Sequence, residues 1–143
     1  MNLVVVDASV GAKWFLPEKD ETLTDKAVGL LERYDAAEIR FVVPDLFYVE
    51  IASAIWKAVR VGRVSRAFGD QALALLIHRQ FPSVPSPKLL DRAFQIAADY
   101  RRTVYECLYV SLAIDSQATL ITADERLANA LAAHFPVKWL GAF

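Results

Sequence analysis

The chain has 143 residues, 55% of them hydrophobic and 23% charged, and a formal net charge of −1. That length suits one domain with a substantial core, here taken as residues 1–143, and the composition excludes a disordered or low-complexity chain. The near-neutral balance leaves any polyanionic partner to be met by a local basic patch. The longest apolar runs fall well short of a membrane span. The opening stretch MNLVVVDASVGAKWF has no basic leader and is interrupted by Asp7, so a secretory signal is not expected. A lone cysteine, Cys107, cannot close an internal disulfide, which fits a reducing compartment such as the cytoplasm.

In chain order, NLVVVD is a short β-branched run ending in an acid, the pattern of a buried parallel strand. A short helix follows and stops at Pro17. ETLTDKAVGLLERYDAA carries apolar residues at helical spacing, and IRFVV is the next strand. PDLFYVEIASAIWKAVRVG is a longer helix, with Pro44 in its first turn and Gly62 just past its end. Two more helices are expected over SRAFGDQALALLIHRQF and SPKLLDRAFQIAADYRR, the second with Ser86 as N-cap and Pro87 at the first helical position. After a helix from Tyr105 to about Ile114 come the strand TLIT, the helix ADERLANALAAHF and a last strand, VKWL. Strands alternating with helices imply a three-layer α/β/α sandwich on a mainly parallel central sheet.

Four carboxylates stand in places that invite chemistry. Asp7 ends the first strand and Asp124 follows TLIT; ligands of open α/β sheets bind at such carboxyl ends, although either acid would also serve as a helix N-cap. Glu50 lies mid-helix, on the margin of the apolar stripe Phe47, Ile51, Ala54, Ile55 and Ala58, where a boundary ion pair would also explain it. Glu106 opens a helix that is apolar nearly all round, and a carboxylate there needs a hydrogen bond, a cation, a proton or water to offset its desolvation. If the four converge, their mutual repulsion would favour a bound cation. An all-oxygen donor set without histidine or cysteine suits Mg2+ or Mn2+ and makes a poor zinc site. Both histidines, His78 and His134, are expected at the surface or the boundary.

The blocks VVDASVGAKWFLPE, PDLFYVEIASAIWK, TVYECLYVSLA and LITADERLANAL, in this order, resemble a PIN-domain protein, and within that family the VapC-like toxins of toxin–antitoxin pairs. The resemblance runs from Leu3 to Leu131 and places the family's acids on Asp7, Glu50, Glu106 and Asp124, with Ser9 on a supporting hydroxyl position. It implies a Mg2+-dependent endoribonuclease with Asp7, Glu106 and Asp124 as metal ligands. Glu50 would complete the shell or orient the nucleophile. A homodimer and a cognate antitoxin are implied as well. The third block departs from the family's usual Tyr-Asp-Ala-Leu-Tyr, because this chain has Tyr105-Glu106-Cys107-Leu108-Tyr109. The extra methylene shifts a ligand by about 1 Å, a displacement that can cost on the order of a hundredfold in rate.

Lys13, Lys57, Arg60, Arg63 and Arg66 lie close in sequence to these acids and would neutralise RNA phosphates, or simply end a solvated helix. Trp14, Phe15, Phe47, Tyr48 and Trp56 are expected in the core or at a partner face. The main alternative is a catalytically degenerate PIN-fold scaffold that binds RNA or protein. A receiver-type domain would want paired acids after an early strand, and a haloacid-dehalogenase-like phosphatase would want Asp-x-Asp where this chain has Asp7-Ala8-Ser9.

Overall fold

The structure, a computed structural model, describes residues 2–17 and 22–143. Its strands are β1 (Asn2–Val6), β2 (Ile39–Pro44), β3 (Ser83–Val84), β4 (Thr119–Thr122) and β5 (Val137–Trp139). They form one five-stranded sheet in the order β3-β2-β1-β4-β5, with every neighbouring pair parallel. The helices are α1 (Ala8–Gly11), α2 (Thr24–Asp35), α3 (Leu46–Arg60), α4 (Arg66–Arg79), α5 (Leu90–Tyr100), α6 (Val104–Asp115) and α7 (Glu125–Leu131). This is the expected α/β sandwich.

The strand order determines where a ligand can enter. From β1 the chain runs outward to β2 and β3, then returns to lay β4 on the other side of β1. The β1/β4 boundary is therefore the topological switch point, where diverging connections leave a crevice at the carboxyl ends of the strands. Pairing of Val4, Val5 and Val6 with Thr119, Leu120 and Ile121 carries both chains to that crevice in step, and the amide of Asp7 donates to the Ile121 carbonyl at 3.0 Å.

The core explains the rest. Val4, Val5, Val6, Leu120 and Ile121 are buried, as parallel strands covered on both faces require. α6 packs against β1, β2 and β4 and buries every residue from Cys107 to Ala113. At the β2 side, Phe41 lies between Tyr34 and Trp14, with ring centroids 4.4 Å and 5.7 Å away and nearly parallel planes. Stacks of this kind add about 0.5–1.5 kcal/mol per pair beyond area burial. Phe15 and Phe47 are likewise buried and Tyr48 is half-buried, whereas Trp56 stands exposed on α3.

Several local expectations need correction. Pro44 does not open α3; it ends β2 and pairs with Val84, while Asp45 takes the N-cap position. β3 was not anticipated, because two residues between prolines carry no readable period. Ser86 and Pro87 form a 3-10 turn ahead of α5 instead of capping it, and Ser86 instead bonds the Asp45 carboxylate through its amide and hydroxyl. α7 stops at Leu131, short of Phe135. Gly62 does follow the end of α3, in a left-handed conformation (φ 83°) that glycine adopts without a Cβ clash. The expected start of α2 at Glu21 lies outside the described residues.

Candidate active site

Asp7 stands where β1 passes into α1. Its Oδ2 accepts the hydroxyls of Ser9 at 2.5 Å and Thr122 at 3.0 Å, and Ser9 in turn accepts the amide of Ala123. This small network ties the ends of β1 and β4 together across the switch point. Burial pushes the Asp7 carboxyl up from its ordinary value, and hydrogen bonds from the two hydroxyls and from nearby backbone amides offset part of that push. Asp124 caps α7, its Oδ1 accepting the amides of Arg126 at 3.0 Å and Leu127 at 3.2 Å. Its own amide donates to Thr122, so one threonine hydroxyl links both strand-end acids.

Glu50, on α3, pairs with no lysine or arginine among the described residues. Its Oε1 accepts the hydroxyl of Tyr109 at 2.6 Å, from a side chain that is almost fully buried. Desolvation raises the Glu50 carboxyl; the Tyr109 hydrogen bond lowers it, and the charges of Asp7 and Glu106 raise it further. Tyr109 is raised as well, first by burial and then by the charges of Asp7 and Glu50, so it stays a neutral donor.

Glu106 has a different setting. Its Oε1 accepts from the backbone amide of Thr103 at 3.1 Å and from the Thr103 hydroxyl at 2.9 Å, while the Thr103 hydroxyl accepts the amide of Glu106. This reciprocal capping box starts α6. The other oxygen, Oε2, takes the Arg102 guanidinium at 2.8 Å. Desolvation acts to raise the Glu106 carboxyl, but the Thr103 and Arg102 hydrogen bonds and the Arg102 charge outweigh it, and the net shift is downward. Burial and the charge of Glu106 push the neighbouring Cys107 thiol up to about 11, so it is no nucleophile at neutral pH.

All four carboxylates line one cavity of about 390 Å3, together with Ser9, Thr103, Tyr105 and Tyr109. As they stand, no three histidine, cysteine, aspartate or glutamate side chains among the described residues lie close enough to hold one ion. The donor chemistry nevertheless fits a hard divalent cation. Every donor is an oxygen, and each of Asp7, Glu50 and Glu106 adds negative charge to a cavity in which burial already disfavours ionisation. The described residues also leave Oε2 of Glu50 and Oδ2 of Asp124 without a hydrogen-bond donor.

A family model for the PIN domain matches residues 4–131. The chain belongs to the PIN domain family. It is 30% identical to Ribonuclease VapC3 of Pyrobaculum aerophilum, with 88% of this chain and 92% of that protein covered. It is also 30% identical to Ribonuclease VapC9 of Mycobacterium tuberculosis, over 94% of this chain and 96% of the relative. The crystal structure of PAE2754 from Pyrobaculum aerophilum superposes with a TM-score of 0.70 at 22% identity, covering 99% of this chain and 91% of that one. VapBC2 from Rickettsia felis, bound to a promoter DNA fragment, superposes at 0.65 and 13% identity over 96% and 98%. At these identities the superpositions speak for the fold alone.

Beside the acidic cavity of this PIN domain lies a second cleft of about 390 Å3, which shares Ser9 and Asp124 with it. Lys13, Lys57 and Arg63 line this cleft, whereas Arg60 is exposed elsewhere and Arg66 pairs with Asp70. The sequence places Lys57, Arg60, Arg63 and Arg66 at a helix end and Lys13 shortly after Asp7; folding brings Lys13, Lys57 and Arg63 into one cleft with Asp124. Both histidines are exposed, as expected. Sequence reasoning overlooked Tyr109, Thr122, Arg102 and Thr103 as partners of the acids. Thr103-Val104-Tyr105-Glu106 did carry a legible signal, the Thr-x-x-Glu pattern of a capping box.

Proposed function

We propose that this PIN domain is a metal-dependent endoribonuclease and the toxin of a toxin–antitoxin pair. The observation that carries the reading is the convergence of Asp7, Glu50, Glu106 and Asp124 on one cavity at the switch point of the sheet. The ribonuclease names of its relatives agree with it. Asp7, Glu106 and Asp124 would hold Mg2+ or Mn2+. Such an ion, when bound, supplies a water of lowered pKa and positive charge against the developing phosphorane. Asp7 is held for that task by two hydroxyls on one oxygen. Glu50, raised by burial and oriented by Tyr109, is suited to accept a proton from the attacking water, since a base works best with a pKa near the operating pH. Lys13, Lys57 and Arg63 would hold phosphates of the same strand.

The antitoxin partner rests on neighbours described as VapBC and toxin–antitoxin assemblies. An apolar groove between α3 and α4, lined by Ile55, Trp56, Val59 and Leu73, supports a protein partner. Homodimerisation and a cytoplasmic setting follow from the family resemblance. No helix among the described residues is long and apolar enough to cross a membrane. One observation favours the scaffold reading instead: both oxygens of Glu106 are already engaged.

Incubation with a mixed RNA pool separates the two readings. Cleavage is expected with Mg2+ or Mn2+ and is expected to vanish with chelator. RNA that stays intact under every condition, or is cut equally in chelator, would favour the scaffold. Lys57→Gln combined with Arg63→Gln is expected to weaken RNA binding and to flatten its dependence on salt by about 0.7 in log–log slope per lost phosphate contact. An unchanged slope would remove these residues from the RNA path.

A further inference from the structure

We infer that Arg102 is a built-in competitor for the metal, a guanidinium that occupies Glu106 and must yield it, or share it, when a divalent ion loads; this rests on the metal-centre reading given above. Arg102 sits in the short connection between α5 and α6. Arg101 before it is left-handed (φ 55°), and its own amide is tied to the Ala97 carbonyl at 3.1 Å, so its backbone is anchored. From there its NH2 reaches Glu106 Oε2 at 2.8 Å, in a pair whose side chains are only 23% and 25% exposed. In such a partly buried setting a charge is weakly screened by salt and acts strongly on its neighbours.

Two features distinguish this pair from an ordinary stabilising salt bridge. Glu106 needs no cation to start α6, because Thr103 already completes the capping box through Oε1. Oε2 is thus the oxygen left over for the cavity, and it is the one that Arg102 holds. The guanidinium is also incompletely satisfied, since its Nε is buried without a hydrogen-bond partner. A fully bonded arginine would be costly to dislodge; one with an orphaned buried donor is held less firmly. The glutamate side chain lets one carboxylate serve both the Thr103 cap and the Arg102 contact. Arg102 is thereby a positioning residue: it sets how readily Glu106 is given to an ion.

The test is Mn2+ affinity, measured without RNA by electron paramagnetic resonance of the free ion. Removing a positive charge beside the site is expected to tighten Mn2+ binding by about tenfold in Arg102→Met, the size expected for one nearby charge in a partly solvated setting. Arg102→Lys keeps the charge and is expected to bind nearly as wild type. Arg102→Gln shares the expectation of the methionine variant while keeping a hydrogen-bond donor, so a folding defect in one does not decide the matter. A merely structural Arg102 would lower the melting temperature and leave Mn2+ affinity unchanged, and that result would overturn the inference. Equal or weaker binding in Arg102→Met, with binding still lost in Asp7→Asn, would sink the competitor alone. No saturable Mn2+ binding in any folded variant would sink the metal centre with it.

Discussion

Asp7→Asn is expected to lower RNA cleavage by on the order of a thousandfold while leaving the protein at least as stable as wild type. The rate loss follows from removing the charge at an acid held by two hydroxyls at the switch point, where several kcal/mol of transition-state stabilisation would originate. The stability follows from the sign of the pKa shift. Because the folded-state carboxyl is raised, the folded protein binds the proton more tightly than the unfolded chain. Its contribution to stability therefore falls as pH rises from the ordinary aspartate range through the folded value. Asparagine carries no charge to desolvate and still offers an oxygen to Ser9 and Thr122. Cleavage rates under metal saturation and urea midpoints at neutral pH check both halves. A variant that cleaves as wild type refutes the catalytic assignment, and one that melts far lower refutes the account of the buried charge.

Phe47→Ala is expected to cost about 3–5 kcal/mol and to lower the melting temperature by about 10–15 °C. Phe47 is fully buried, edge-on to Tyr48 and Phe81 with centroids 5.7 Å and 5.9 Å away. It also bears on the site. A Cβ on Gly11 would lie 2.7 Å from Phe47 Cζ and 2.8 Å from Ile51 Cδ1, so α1 rests on α3 with no room for a side chain between them. That contact sets the spacing between Asp7, just before α1, and Glu50, one turn after Phe47. The cavity left by alanine should therefore loosen the acids as well as the core, with a loss of cleavage that persists at temperatures where the variant is folded. Calorimetry and cleavage assays at 20 °C below its own midpoint separate the two effects. A loss under about 1 kcal/mol would mean that the aromatic cluster repacks around the gap.

How much of this was legible beforehand differs by residue. Val4, Val5 and Val6 before Asp7, and the run Thr119–Thr122 before Asp124, announce strand ends by β-branched content alone, and the acids that follow were found there. Glu106 stands out in the sequence as a carboxylate in an apolar helix, and the structure compensates it with the Thr103 cap and the Arg102 ion pair. The Thr103 cap is readable from spacing, whereas nothing in the local pattern distinguishes Arg102 as the partner of Glu106. Glu50 lies on the expected margin of α3, and of the two readings open for it the boundary ion pair is not found among the described residues, where Tyr109 donates to it.

The division has a physical cause. Periodicity and capping are properties of a few neighbouring residues, so the chain's local pattern specifies which segments are strands or helices, which face each buries and which acids sit at their ends. The contacts that make a site out of those acids join residues far apart in sequence: Thr122 to Asp7, Tyr109 to Glu50, Lys57 and Arg63 to the cleft beside Asp124. They depend on β4 being laid beside β1 instead of beyond β3, a choice of sheet order made by the packing of whole layers. Local pattern supplied the carboxylates; tertiary packing decided that they share one cavity, with a guanidinium already holding one of them.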